Sequence, residues 1–454
     1  QRLMEQSIAE CTECDELEAV TARCRARYRE MIDAIQQRFL EAIQKAGWPP
    51  DGVLRQTQVF DRFVTPALAA REKVAYFLTD ALRFDMGRDL AGALSTLGEI
   101  DLQPVASTLP TITSVGMAAL MPGADNALTM RALGDDLIPH LGERCLKTSA
   151  DRMKLLAEKY GDRFVDAEIS EFLSLPSVAK RKARLKNADL VVVRDSRIDR
   201  MGETITLREA RKYMTDLLGD LKAAVTQLIH LGYGYVVVAT DHGHVLLPEV
   251  LPGDVVPHSP AGEWPLKKRR SLLGQQIKEG KGTTVLSAAH VGIQGDATEL
   301  VVPNGFGVYS RGSGYFHGGL SLQECVLPLI TLRAKSHPAK QAGYELKIHY
   351  RSDTFTSWVI GLKVWFNSMF EKSIRVRIEA FDGSGPSAHK VGDAADCDAR
   401  DEVTHEVTLT AGQDTSVPVL LDPDFDGDQV EIRATNPDAP VVWAQLTLKN
   451  GIMD

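Results

Sequence analysis

Three apolar runs of this sequence end on acidic residues. "VAYFLTD" (74–80) ends in Asp80, "LVVVRDSRID" (190–199) reaches Asp195 and then Asp199, and "YVVVATDHGH" (235–244) delivers Asp241 beside His242. Their apolar stretches are continuous rather than alternating, the mark of strands buried on both faces, as in a parallel sheet covered by helices. Ligands of open α/β sheets sit beyond the carboxyl ends of the strands, so these carboxylates converge on one edge. Unpaired, they would repel one another and lose hydration, and a divalent cation removes both penalties. The ordinary alternative is that each Asp caps the helix that follows its strand. That suffices for one site; three strand-end sites plus an Asp-His pair favour metal.

Two further segments add chemistry. In "STLPTITSVGMAALMPG" (107–123), Thr108, Thr111 and Thr113 precede a helix rich in small residues. A hydroxyl at a helix N-terminus lies where backbone N–H groups favour anions, and beside a metal it can ionise and attack phosphorus or sulfur. An ordinary Thr cap is the bland reading. In "GSGYFHGGLSLQECVLPLI" (312–330), His317 stands among glycines, free of core packing and available as a ligand, and "SLQE" has the form of a capping box. Arg83 follows Asp80 closely; it suits a phosphate as well as a surface pairing with Asp85. His244 is left outside the ligand set. The basic run "WPLKKRRSLLG" (264–274) is read as a groove for a polyanion or, more plainly, as a solvated face. Cys11-Thr12-Glu13-Cys14 lacks the second pair of a zinc site, and "DPDFDG" (422–427) lacks the closing Glu of a calcium loop, so it is read as a turn.

The elements that must position these groups fall into three stretches. Residues 1–46 read as helix, with Leu17, Val20, Cys24, Tyr28, Met31, Ile35, Phe39 and Ile43 at three- and four-residue steps, stopped by the Gly/Pro-rich 47–52. From about 70 to 335, apolar runs at 74–80, 189–195, 235–241 and 304–310 alternate with helix candidates at 86–97, 114–121, 131–142, 170–187 and 207–231. Beyond a linker at 335–343, about seven short strands predict an antiparallel sandwich, with 383–402 as a long mobile loop. The expected organisation is thus a helical arm (1–69), an α/β domain (70–335) and a β-sandwich (343–454). The chain has 454 residues, is 44% hydrophobic and carries a formal net charge of −9, so it lacks the global basic footprint of a nucleic-acid binder, although a local basic groove is not excluded. Six cysteines in such a length make no disulfide framework and favour reduced thiols in the cytoplasm. No apolar stretch is long enough to span a membrane. The first residue is Gln, which suggests a fragment or a processed chain.

"FLTDALRFDM", "LPTITSVGMAALMPG", "RIDRMGE", "TDHGH" and "FHGGLSLQECVLPLI", in that order, resemble the PglZ family over roughly residues 70–335. PglZ belongs to the alkaline phosphatase superfamily and is a component of bacterial BREX phage-resistance systems. The resemblance implies an alkaline-phosphatase-like parallel sheet sandwiched by helices, and a bimetallic site. One metal would be held by Asp80, Asp241, His242 and the nucleophile, the other by Asp199, Glu203 and His317. Diesterases of the superfamily read Asp-x-x-Gly-His where this chain reads Asp199-Arg200-Met201-Gly202-Glu203. The harder oxygen ligand relaxes the preference for zinc and admits manganese or magnesium. Thr113 best fits the family's nucleophile, with Thr111 and Thr108 as alternatives, and Arg83 would face substrate. The expected activity is metal-dependent phosphoester hydrolysis, of a diester or nucleic acid before a monoester, in phage defence. Partners would be other BREX components such as a DNA methyltransferase, with nucleic acid or a nucleotide as substrate and no membrane. The rival is a non-enzymatic assembly module. A sulfatase is disfavoured because the Cys/Ser-x-Pro-Ser-Arg motif is absent.

Overall fold

The computed structural model describes residues 18–134, 136–186, 188–204, 207–247, 252–256, 260–334, 344–368, 371–383, 388–402, 404–437 and 442–452. The Cys11–Cys14 pair and the 335–343 linker lie outside them. Contacts divide the described residues into two compact units, one up to 334 and one from 344.

The first unit is built on a seven-stranded mixed sheet. Its spatial order is Leu54–Arg55, Gly98–Ala106, Val326–Ala334, Tyr235–Thr240, Val74–Thr79, Leu190–Asp195 and Phe164–Glu168. The Val74, Leu190, Tyr235 and Phe164 strands run parallel to one another, whereas Val326–Ala334 is antiparallel to both its neighbours. Every residue of Val74–Thr79 and Tyr235–Thr240 is buried. Alternate side chains enter two cores: Ala75, Phe77, Val236 and Val238 pack under Phe84–Leu94 and Leu207–His230, while Val74, Tyr76, Tyr235 and Val237 face Phe60, Val64 and Met117.

Several expectations are corrected. The 131–142 helix is a hairpin of strands Leu128–Leu133 and Asp136–Leu141, because Gly134 turns with φ +61° and Pro139 would interrupt a helix. The 170–187 helix is two short ones, Ile169–Ser174 and Val178–Leu185, separated at Pro176. The 304–310 strand is a turn about Gly305 with a single bridge from Val308 to Val255. It lies beside a four-stranded antiparallel sheet that includes Glu263–Lys267 and Leu272–Gln275.

The helix Glu18–Ala46 buries Thr21, Ile32, Gln36, Leu40 and Ile43, a stripe partly offset from the one read in the sequence; Val20 (54% exposed), Met31 and Ile35 face solvent. Gln36 donates to the Leu320 carbonyl, and Arg29 pairs with Asp254 at 2.6 Å.

In the second unit all seven expected strands are present, joined by Thr354–Phe355 and His389–Ala394 around one apolar core. The His389–Ala394 strand falls where a loop was expected. Burial along Val359–Ser368 alternates, the period of a sheet covered on one face.

Candidate metal centre

Thr79 lies opposite both Asp195 and Thr240 across the parallel ladders, so Asp80 and Asp241 leave the sheet at the same edge. The next residue, Ala81, adopts φ +63°, a left-handed turn that costs a non-glycine residue free energy. That turn aims its N–H at Asp241 Oδ1 (3.0 Å) and its carbonyl at His244 Nδ1 (2.9 Å). The His242 amide also donates to Asp241 Oδ1, at 2.8 Å. Asp241 Oδ2 and Asp80 Oδ1 are left buried with no hydrogen-bond partner among the described residues. His242 Nδ1 is 3.0 Å from the Gly243 carbonyl, which only accepts, so the ring proton is on Nδ1 and Nε2 is bare. Nε2 lies 3.5 Å from Asp80 Oδ1, 3.4 Å from Asp241 Oδ2 and 3.2 Å from Thr113 Oγ1, whose hydroxyl donates to it. The Thr113–Ala119 helix sits directly on the Asp241 backbone: a Cβ on Gly116 would come 2.2 Å from the Asp241 carbonyl oxygen.

The antiparallel strand matters because it begins at this same edge and so delivers the residues that precede it. His317 Nε2 is 3.6 Å from Asp199 Oδ1 and 4.0 Å from Glu203 Oε1. Asp199 and Glu203 are one turn apart on the helix Arg197–Thr204. The Tyr315 hydroxyl donates to Asp199 Oδ1 at 2.7 Å, and a Cβ on Gly202 would strike the Tyr315 ring. The His242 and His317 rings stack at 4.1 Å. Ligand atoms of Asp80, Asp241 and His242 lie within 4.8 Å of one another, as do those of Asp199, His242 and His317.

Charge in this pocket is unbalanced. Burial, then the neighbouring Asp241 and Asp199, hold the Asp80 carboxyl well above the usual carboxylate range. Burial pushes Asp241 up to about 6. Burial, then the nearby His317, pushes His242 down to about 3. The neutral imidazole is therefore ready to donate its lone pair, while orphaned carboxylate oxygens face it. This mixed oxygen and nitrogen donor set fits a divalent cation such as zinc, which takes both, and its carboxylates also suit manganese. The pH dependence of binding at this grouping follows with a definite sign. His242 does not compete for protons near neutrality, whereas Asp80 and Asp241 do. Cation affinity should fall as pH drops through 6, where Asp241 takes up its proton, with protons released on binding at pH 6. Calorimetry in buffers of different ionisation enthalpy reads both quantities, and an affinity unchanged between pH 7 and 5 would contradict it.

The sequence matches the family described as "BREX system PglZ alkaline phosphatase-like domain" over residues 59–332, more than half of the chain. This chain belongs to the PglZ family. It is 24% identical over 355 residues to "Alkaline phosphatase-like protein PglZ" of Bacillus cereus (strain H3081.97), covering 75% of this chain and 40% of that protein. It is 24% identical over 306 residues to "Alkaline phosphatase-like protein BrxZ" of Escherichia coli O9:H4 (strain HS), covering 65% of this chain and 34% of that protein. The chain thus spans well under half the length of these two curated relatives.

The remaining residues of interest have other placements. Thr111 is buried and gives its hydroxyl to the Gly319 carbonyl at 2.7 Å. Thr108 lines a separate small cavity with Arg55 and Asp125. Arg83 pairs with Asp85 at 2.8 Å. Asp195 pairs with Arg197 and accepts its amide, as a strand-end cap does. His244 packs on Tyr315, with ring centroids 4.8 Å apart. "DPDFDG" is a turn, with the Phe425 amide bonded to the Asp422 carbonyl. The basic run divides: Lys267 and Lys268 are exposed, Lys267 over the Trp264 ring, while Arg270 is buried. The sequence reading missed Tyr315, and also Gln56, whose amide donates to the carbonyls of Thr240 and Asp241. The only sequence signal for Tyr315 was its position two residues before His317. Gln56 had none, because it reaches the site from a segment far away in the chain.

Proposed function

We propose that this chain is a metal-dependent phosphoester hydrolase acting on a diester, with Thr113 as nucleophile. The observation that supports it most is the convergence of Thr113 Oγ1, the bare His242 Nε2 and the orphaned oxygens of Asp80 and Asp241. Asp80, Asp241, His242 and Thr113 would hold one cation, and Asp199, Glu203 and His317 a second, with zinc the first choice and manganese or magnesium admitted by Glu203. When bound, such cations supply Lewis acidity: they ease ionisation of a nearby hydroxyl and offset charge on phosphoryl oxygens.

The chain's own residues do the rest. The Thr113–Ala119 helix, seated through Gly116 on the Asp241 backbone, presents Oγ1 to phosphorus. His242, locked by its Nδ1 bond, keeps Nε2 toward that oxygen. The Thr113 hydroxyl gives its proton to solvent, the Thr113 O–P bond forms as the ester O–P bond breaks, the departing oxygen takes a proton from water, and a second water hydrolyses the phosphothreonine, returning a proton to Thr113. Arg83, released from Asp85, would grip a non-bridging oxygen. The arm (1–69), the PglZ domain (70–335) and the sandwich (343–454) are the working division of the chain. The family description supports a role beside other BREX components; a DNA methyltransferase as partner, and nucleic acid or a nucleotide as substrate in phage defence, extend that reading. Among the described residues no helix is long and apolar enough to cross a membrane.

A second reading, an assembly module, is favoured by the exposed Val20, Met31 and Ile35 on the long helix. The deciding assay compares bis-p-nitrophenyl phosphate with p-nitrophenyl phosphate in zinc, manganese or magnesium. Faster diester turnover is expected. No turnover of either ester by folded, metal-loaded protein would contradict the enzyme and leave the assembly module.

A further inference from the structure

The loop that carries His317 is gripped from both sides by one turn of the chain, Arg269-Arg270. Arg270 is 1% exposed. It meets Glu324 in a two-pronged pair, Nε to Oε1 and Nη2 to Oε2, each at 3.0 Å, and gives Nη1 to the Gly307 carbonyl at 2.6 Å. Glu324 Oε1 in turn accepts the Gly319 amide at 2.8 Å, and Oε2 accepts the Ser321 hydroxyl at 2.6 Å. A Cβ on Gly319 would come 2.5 Å from Arg270 Nε, so glycine is what lets this contact form. On the other side of His317, Arg269 donates to the carbonyls of Ser313 (2.7 Å) and Tyr315 (2.9 Å). Thr111 closes the clamp: its hydroxyl holds the Gly319 carbonyl, and its own carbonyl accepts His317 Nδ1–H at 3.1 Å.

A fully buried ion pair is a poor way to stabilise a fold, because desolvation offsets most of the attraction, and apolar replacements of similar volume are often neutral or better. What it does supply is fixed geometry: Arg270 is anchored on the Gly307 and Gly305 carbonyls, and Glu324, on the short helix after His317, holds the Gly319 amide and the Ser321 hydroxyl of the His317 loop. We propose that Arg270 and Glu324, acting through Gly319, and Arg269, acting through Tyr315, are positioning residues for the second cation site, setting His317 and Asp199 at ligand distance. This rests on the two-cation site proposed above. Outer contacts of this kind orient a metal-ligating imidazole and fix its tautomer.

The test is a zinc titration of the metal-stripped full chain by calorimetry, comparing wild type with the double variant Arg270→Met/Glu324→Leu. That exchange keeps the volume filled with apolar side chains and removes the directional bonds, leaving the Gly319 amide, the Ser321 hydroxyl and the Gly307 carbonyl without these partners. The double variant should melt below wild type, yet bind its first zinc within about twofold of wild type. Its second zinc should bind at least about tenfold more weakly. Equal binding of both zinc ions in the two proteins overturns the inference, as does equal weakening of both. If the double variant does not fold, Thr111→Val gives the same readout: it keeps the carbonyl that holds His317 and loses the grip on Gly319. Selective weakening of the second zinc supports the clamp, and unchanged binding of both overturns it. A wild type that takes up one zinc alone overturns the two-cation reading itself, and the clamp with it.

Discussion

Asp241→Asn will melt at a higher temperature than wild type when both are stripped of metal at pH 7.5, and will lose the stabilisation that zinc gives at this grouping. Asn Oδ1 can keep the bonds from the Ala81 and His242 amides, and its NH2 replaces an oxygen that has no partner among the described residues. The sign follows from proton linkage. Asp241 is raised to about 6 in the folded protein, against roughly 3.9 in an unfolded chain. The folded state therefore binds this proton more tightly, and the stability it contributes is present below about pH 4 and lost as pH rises through 6. At pH 7.5 the ionised, buried carboxylate destabilises the metal-free fold by something on the order of 1–3 kcal/mol. Asn relieves that cost, and the difference should vanish below pH 4. Zinc at a hundredfold excess over its dissociation constant stabilises wild type by about 2.7 kcal/mol. A variant that melts below wild type without metal, yet still shifts fully with zinc, would sink this account of the pocket. Differential scanning calorimetry with and without zinc, at pH 7.5 and pH 4, is sufficient.

The second large effect is on turnover. Thr113→Ala should lower kcat for a diester by roughly 10³-fold or more, the scale of losing a nucleophile, while most metal remains bound through Asp80, Asp241 and His242. Thr113→Ser, which keeps the hydroxyl, should retain a substantial share of activity. Neither variant should alter the fold, because Thr113 is only half-buried and its hydroxyl makes one bond, to His242. Mass spectrometry of the wild type quenched during turnover should find one phosphoryl group on the peptide that contains Thr113. Full activity in Thr113→Ala would remove this residue from the chemistry.

The parts of the site that were legible in the sequence are those set by strand ends. Asp80, Asp241 and His242 follow unbroken apolar runs, and a parallel sheet can only bring such ends to one edge. Asp199 was read from the run 190–199, whereas Glu203 came only from the resemblance to the PglZ family, and the helix Arg197–Thr204 puts the two one turn apart. The rest depends on contacts that no local pattern encodes. Gly98–Ala106 has mixed burial and carries Glu99, Asp101 and Gln103, so it does not read as an inner strand. Val326–Ala334 was seen only as the tail of a motif, although its reversed direction is what brings His317 to the edge. On the helix Glu18–Ala46, two stripes compete: the more apolar positions Val20, Met31 and Ile35 stay exposed, while Thr21 and Gln36 are buried. The buried face packs Leu40, Ile43 and Ile32 into apolar clusters, and Gln36 on that face reaches the Leu320 carbonyl. Arg269 and Arg270 looked like half of a surface patch for the same reason, since their partners lie about 40 to 55 residues away in the sequence.

The central claim is that two cations sit among these side chains, and anomalous diffraction at the zinc edge from zinc-loaded crystals tests it most directly. Two peaks are predicted, one bounded by Asp80, Asp241, His242 and Thr113, the other by Asp199, Glu203 and His317. A map without either peak, with Asp80 and Asp241 turned away to cap neighbouring backbone, would contradict it.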